Sequence, residues 1–155
     1  MTSLCCDVLK LLQGRSLVTA ESCTGGGIGA ALTAISGSSS VYKGGIISYT
    51  NWVKHHSLNV PQELLENVGA VSAPVAEAMA KGAKENLQAD VAVSVTGLAG
   101  PGGDEYGNPV GTVFVGYADE KKVVSRHYVF SGGRDEVRQQ AAKAALRLIL
   151  EEYGA

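Results

Sequence analysis

Hydrophobic and polar positions along this chain switch repeatedly between a helical spacing and short apolar runs. Leu4, Val8, Leu11 and Leu12 form an amphipathic stripe that stops at Gly14, and "SLVTA" after it reads as a short buried strand. Ile28, Ala31, Leu32 and Ile35 fall at i, i+3, i+4 and i+7, which predicts a helix starting just after three consecutive glycines. "SGSSSVYK" is loop by composition and "GGIISY" is the next strand. "NWVKHHSL" predicts a short helix with Asn51 as its N-cap, halted near Pro61. Gln62 to Val68 predicts another turn or two of helix. From Ser72, with Pro74 accommodated in the first turn, Val75, Met79, Ala83 and Leu87 recur every four residues as a longer one.

"VAVSV" is a short apolar strand ending at Thr96. Thirteen residues, "GLAGPGGDEYGNP", separate it from the strand "VGTVFVGYA", and a connection of that length and composition is more often functional than decorative. A tight turn near "DEKK" predicts that Val123 to Phe130 pairs antiparallel with the strand before it. Arg134 to Glu152 predicts a long helix with Val137, Ala141, Ala144, Ala145 and Leu148 inward. The sum is about five strands and four or five helices, with crossover helices early and a hairpin late. That pattern predicts an α/β fold in one domain over residues 1–155: a mixed, mostly parallel sheet with one antiparallel member and helices on both faces.

Composition sharpens the picture at the strand exits. Twenty glycines among 155 residues is well above the ordinary share, without the period of collagen or the bias of a disordered chain, and they gather at three places. Residues 22–42 carry no charge, yet their seven Ser/Thr and five Gly make them too polar and flexible for a membrane span. The net charge of −2 and a pI near 5.9 give no basic footprint, so neither nucleic acid nor an anionic membrane is an expected partner. "MTSLCCDVLKLL" contains an acid and no small-residue cleavage site, from which we expect a cytoplasmic location. Cys5, Cys6 and Cys23 match neither a disulfide framework nor a zinc spacing and read as small buried hydrophobes.

Each glycine cluster suggests chemistry and a plainer alternative. In "ESCTGGG", Ser22 follows a strand and opens a glycine turn into a helix. It reads either as a nucleophile, with N–H groups of Cys23, Thr24, Gly25 and Gly26 facing an oxyanion, or as an N-cap serine. The stretch is neither a G-x-S-x-G elbow nor a phosphate loop ending in Gly-Lys-Ser/Thr. Its base would be His55, His56, His127 or Lys54, the last one short turn beyond "SYTN" and requiring a lowered pKa. "VTGLAGPGG" sends Thr96 and a bare backbone towards the same crevice, unless it is a structural turn only. In "FSGGRDEVRQQ", Arg134 and Arg138 share one helical face as a phosphate clamp, or pair with acids such as Asp135 and Glu136. In an open α/β sheet such exits converge on one crevice.

Six ordered stretches, "TAESCTGG", "GGIISYTNWVK", "GAVSAPVAEAMAKGA", "VSVTGLAGPGG", "PVGTVFVG" and "FSGGRDEVR", resemble the C-terminal domain family of the competence/damage-inducible protein CinA, over roughly residues 10–150. The resemblance implies a three-layer α/β/α sandwich. It also implies the activity of the stand-alone members: hydrolysis of nicotinamide mononucleotide to nicotinate mononucleotide and ammonia, with no metal or organic cofactor. Carried over by motif, the family's serine falls on Ser22, its lysine on Lys54, its tyrosine on Tyr49 and its threonine on Thr96. Tyr49 and Thr96 would orient the serine and lysine. The turn from Cys23 to Gly26, the loop glycines Gly97, Gly100 and Gly102, and Arg138 and Arg134 would bind the pyridine mononucleotide, and the resemblance leans towards a homodimer. This sequence departs from the family pattern at Trp52 and Val53, where Glu-Ala is frequent, and at Asn108, where a lysine is common; the latter change takes a cation away from a bound phosphate. A non-catalytic nucleotide- or protein-binding module, and a serine hydrolase of another small amide, fit the same residues.

Overall fold

The computed structural model describes all of residues 1–155. Its elements are α1 (Thr2–Leu11), β1 (Leu17–Glu21), α2 (Gly27–Thr33), β2 (Tyr42–Ile47), α3 (Asn51–Leu58), α4 (Gln62–Asn67), α5 (Ala73–Asn86), β3 (Val91–Gly97), β4 (Thr112–Ala118), β5 (Val123–Val129) and α6 (Arg134–Glu152). The strands form one sheet in the order β2-β1-β3-β4-β5. β1 pairs parallel with β2 and β3, whereas β4 runs antiparallel to both β3 and β5. β4 is therefore the single reversed strand, and the rim holding the carboxyl ends of β1, β2 and β3 also receives the start of β4 and the end of β5.

Side-chain alternation builds the layers. Val91, Val93 and Val95 of β3, with Val113, Val115 and Tyr117 of β4, pack under α1, α2 and α6. Val18, Ala20 and Ala92 point the opposite way, against Leu58 of α3 and Val75, Met79 and Ala83 of α5. Both faces of the sheet are covered, which is why β1 is buried along its whole length, the residue pattern expected of a central parallel strand. The result is a three-layer α/β sandwich around a five-stranded mixed sheet.

Several local expectations need correction. There are six α-helices rather than four or five; the turn or two expected at Gln62 to Val68 is there as α4. On α1 the inward face is Cys5, Val8, Leu9 and Leu12, while Leu11 is 40% exposed; Cys5 and Cys23 are buried as expected, whereas Cys6 is only half-buried. The N-cap of α3 is Thr50, whose hydroxyl accepts from the Val53 N–H at 3.4 Å, not Asn51. Within the stretch read as loop, Ser38–Ser40 makes a 3₁₀ turn and β2 already begins at Tyr42. No helix is long and apolar enough to cross a membrane.

α3 lies against α5 where a glycine removes the obstacle. A Cβ at Gly82 would overlap the Leu58 carbonyl at the end of α3. Gly82→Ala is expected to lower the unfolding free energy by about 1–3 kcal/mol, the usual range for overpacking, read from urea melts of the two proteins.

Candidate active site

β1 delivers Ser22 to the rim and two hydrogen bonds fix it there. The Ser22 N–H donates to the Val95 carbonyl at 3.0 Å, continuing the pairing with β3, and the Gly25 N–H donates back to the Ser22 carbonyl at 3.0 Å to close a turn. Gly25 (φ +57°) and Gly26 (φ +98°) are both left-handed, the conformation that reverses the chain into α2 and that disfavours a side chain. The Gly25 N–H is thus committed to the turn. Those of Cys23, Thr24 and Gly26 have no acceptor within the chain.

α3 supplies the second group. Lys54 and Leu58, one helical turn apart, both face inward, and Lys54 is only 2% exposed. Its Nζ donates to Ser22 Oγ at 2.9 Å and to the Ser48 carbonyl at 2.8 Å. Ser48 is itself tied to β1, since its N–H donates to the Glu21 carbonyl at 2.7 Å. Burial penalises the ammonium and lowers the Lys54 pKa to about 8. The same burial pushes the neighbouring Cys23 thiol up to about 11, so near neutrality it stays protonated and is no competitor as nucleophile.

Between the Ser22 turn, the start of α3 and the segment after β3 opens a cleft of about 300 Å³. Ser22, Cys23, Lys54 and Thr96 line its buried part; Gly97, Gly100 and Gly102 form one wall; exposed Tyr49, Asn51 and Arg134 stand at its mouth. The three histidines lie elsewhere. His55 Nδ1 is bonded to the Val60 carbonyl, His56 stacks on Trp52 and His127 stacks on Phe114. No three His, Cys, Asp or Glu side chains converge where they could hold a metal ion.

Other assignments made from sequence are placed differently. The Thr96 hydroxyl donates to the Ala70 carbonyl at 2.8 Å, and the Tyr49 hydroxyl accepts from Arg134 at 3.1 Å, so neither bonds to Ser22 or Lys54. Arg134 also donates to the Gly100 carbonyl at 2.6 Å, which joins both sides of the cleft mouth. Arg138 does not line the cleft. Its Nε donates to the Cys23 carbonyl at 2.9 Å and its Nη2 to the Thr24 carbonyl at 3.2 Å, so it braces the serine turn from behind. Thr24, Gly25 and Gly26 likewise shape the turn without facing the cleft. Asn108 stabilises the 97–111 connection, donating to Asp104 at 2.8 Å and to the Val71 carbonyl at 3.1 Å.

The residue that sequence reasoning passed over is Glu21. It is 2% exposed, and its carboxylate accepts from the hydroxyls of Thr19 (3.2 Å) and Thr24 (2.8 Å) and from the N–H groups of Ile28 (2.9 Å) and Gly29 (3.0 Å). An acid closing an otherwise apolar strand, directly before a glycine turn, was the available signal.

Comparison with known proteins agrees with this architecture. The family profile described as the CinA C-terminal domain matches residues 2–153. A CinA-like protein of Synechococcus sp. (strain RCC307) is 50% identical over 151 residues, covering 95% of this chain and 36% of that protein. A CinA-like protein of Thermosynechococcus vestitus is 50% identical over 147 residues, covering 92% of this chain and 35% of its own. The chain thus spans about a third of the length of the curated relatives it matches. Among solved structures, the competence/damage inducible protein CihA from Agrobacterium tumefaciens superposes with a TM-score of 0.93 at 38% identity, covering 97% of this chain and 93% of that one. The competence damage-inducible protein A from Klebsiella pneumoniae gives 0.94 at 32% identity, covering 98% and 96%.

Proposed function

Since the chain belongs to the CinA C-terminal domain family, we propose that its cleft is that of a serine–lysine amidohydrolase and that its substrate is nicotinamide mononucleotide, released as nicotinate mononucleotide and ammonia. The observation that carries this reading is the 2.9 Å contact between Ser22 Oγ and a buried Lys54 Nζ. A serine hydroxyl is a weak nucleophile until a base takes its proton, and a lysine becomes such a base only when burial disfavours its charge. Both conditions meet at one cleft wall.

In the proposed reaction, neutral Lys54 accepts the Ser22 proton as Oγ attacks the carboxamide carbon. The new oxyanion is received by the Cys23 N–H, the donor of the Ser22 turn that lies at the cleft, a contribution of about 3 kcal/mol in comparable sites. Lys54 returns its proton to the departing nitrogen, ammonia leaves, and water repeats the sequence on the acyl-serine. Arg134, rather than Arg138, is the cation that faces the cleft, and in this reading it receives the phosphate beside Gly100 and Gly102. Tyr49 then acts by holding that guanidinium.

The pH profile tests the base. Because the active lysine is the unprotonated one, kcat/KM is expected to rise with pH up to an apparent pKa of about 8 and then level off. At pH 7 only about a tenth of the molecules carry neutral Lys54. His55→Gln is expected to leave this limb in place, since His55 lies outside the cleft. An acid limb near the ordinary histidine value of about 6.5, or its loss in His55→Gln, would transfer the base role away from Lys54.

A further inference from the structure

We propose that Glu21 is a positioning residue for the nucleophile, acting through its carboxylate to lock the turn that aims Ser22. The inference rests on the serine–lysine reading of the cleft. Glu21 immediately precedes Ser22, and its two sides have different tasks. Its main-chain carbonyl accepts from the Ser48 N–H, and the Ser48 carbonyl in turn accepts from Lys54 Nζ. Its carboxylate reaches the other way, over the turn, to Thr24 and to the first N–H groups of α2.

The chemistry of those partners requires a carboxylate. Oε1 receives the Thr24 hydroxyl and the Ile28 N–H; Oε2 receives the Thr19 hydroxyl and the Gly29 N–H. An ionised carboxylate is acceptor-only and satisfies all of these donors. A glutamine of the same shape sets its NH₂ against one backbone N–H that cannot turn away, so one buried donor pair is left in conflict. The surroundings are cut to fit. A Cβ at Gly29 would lie 2.7 Å from the Tyr42 hydroxyl and 3.5 Å from Glu21 Oε2, and one at Gly45 would overlap Thr19 Oγ1. Tyr42, at 2.7 Å from Thr19 Oγ1, closes the network on its outer side. Together with Arg138 on the Cys23 and Thr24 carbonyls, the turn is held from both its side-chain and its main-chain groups.

Glu21 touches neither Ser22 Oγ nor Lys54 Nζ, so its loss should slow the chemistry without moving the ionisation of the base. The test uses a fluorophosphonate that labels an activated serine irrespective of the natural substrate, on the full chain, with mass spectrometry to assign Ser22 and circular dichroism to verify folding. Glu21→Gln is expected to slow labelling by about 10²-fold, the scale of a misplacement near 1 Å, with the pH midpoint unchanged. With nicotinamide mononucleotide, kcat is expected to fall in parallel while KM changes little. Thr24→Val, which removes one donor and keeps the shape, is expected to give a smaller loss of about tenfold and serves if Glu21→Gln fails to fold. Native labelling rates in a folded Glu21→Gln, or in Thr24→Val when the former does not fold, overturn the proposal. So does a shifted midpoint with full rate recovered at the plateau, since that marks an electrostatic role. Absence of labelling in the unaltered protein instead rejects the nucleophile itself, a separate failure.

Discussion

Alanine at position 22 is expected to remove ammonia release from nicotinamide mononucleotide, to less than about 10⁻⁴ of the unaltered rate, with the circular dichroism spectrum retained. The expectation follows from the cleft. No second nucleophile stands in for the hydroxyl: the Cys23 thiol beside it is held protonated by burial, and the nearby Thr96 hydroxyl is already donated to the Ala70 carbonyl. The fold should survive, because the turn is closed by main-chain bonds of Ser22 and not by its side chain. A coupled ammonia assay on purified protein decides it, and turnover above one part in about a hundred would remove Ser22 from the nucleophile's role.

Methionine at position 54 is expected to abolish turnover to a similar degree and, unlike most core substitutions, to make the protein more stable at pH 7. Burial lowers the lysine pKa from 10.5 to about 8, so the folded state gives up this proton before the unfolded state does. Between those values the unfolded chain binds more protons, and stability rises with pH there. The destabilisation is therefore fully present below pH 8 and relieved above 10.5; a shift of this size corresponds to about 3 kcal/mol. Methionine removes that cost and fills the same space, while leaving the buried Ser48 carbonyl without its donor, a loss of about 1–2 kcal/mol. A net gain of about 1–2 kcal/mol at pH 7 is the expected outcome, shrinking towards zero or reversing by pH 10.5. Urea unfolding at both pH values measures it. A gain that does not diminish with pH would mean that the lysine charge is not the source.

Local pattern carried most of the fold. The boundaries of α6 coincide with those read from the sequence, Arg134 to Glu152, because a long amphipathic period flanked by glycines specifies its own ends. The hairpin of β4 and β5 was legible from a tight polar turn between β-rich runs. Ser22 and Lys54 could be named as candidates because one follows a strand into glycines and the other follows a strand into a helix. What escaped were partnerships across long stretches of chain. Arg134 and Arg138 are equivalent by periodicity, yet α6 aims one at the cleft and the other at carbonyls 114 and 115 residues earlier in the chain, a difference set by where the helix lands on the sheet. The same applies to Tyr49, whose hydroxyl finds Arg134, 85 residues away. Glu21 escaped for a different reason: acids at strand ends are usually solvated, so its position before the glycine turn was a weak signal, and only the convergence of Thr19, Thr24 and α2 makes it a buried acceptor.

The reversal of β4 has an evolutionary consequence. Since β3 ends and β4 begins at one rim, the stretch joining them goes out and returns without crossing the sheet, and its two roots are stapled together by the Leu98 N–H on the Thr112 carbonyl and the Gly111 N–H on the Leu98 carbonyl. The interior of that excursion is anchored independently of the sheet: it carries Gly100 and Gly102 on the cleft wall, while the strands and the Ser22–Lys54 contact rest on other elements. In the proposed serine–lysine reading, that excursion is where selectivity would diverge while Ser22 and Lys54, carried by β1 and α3, keep their places.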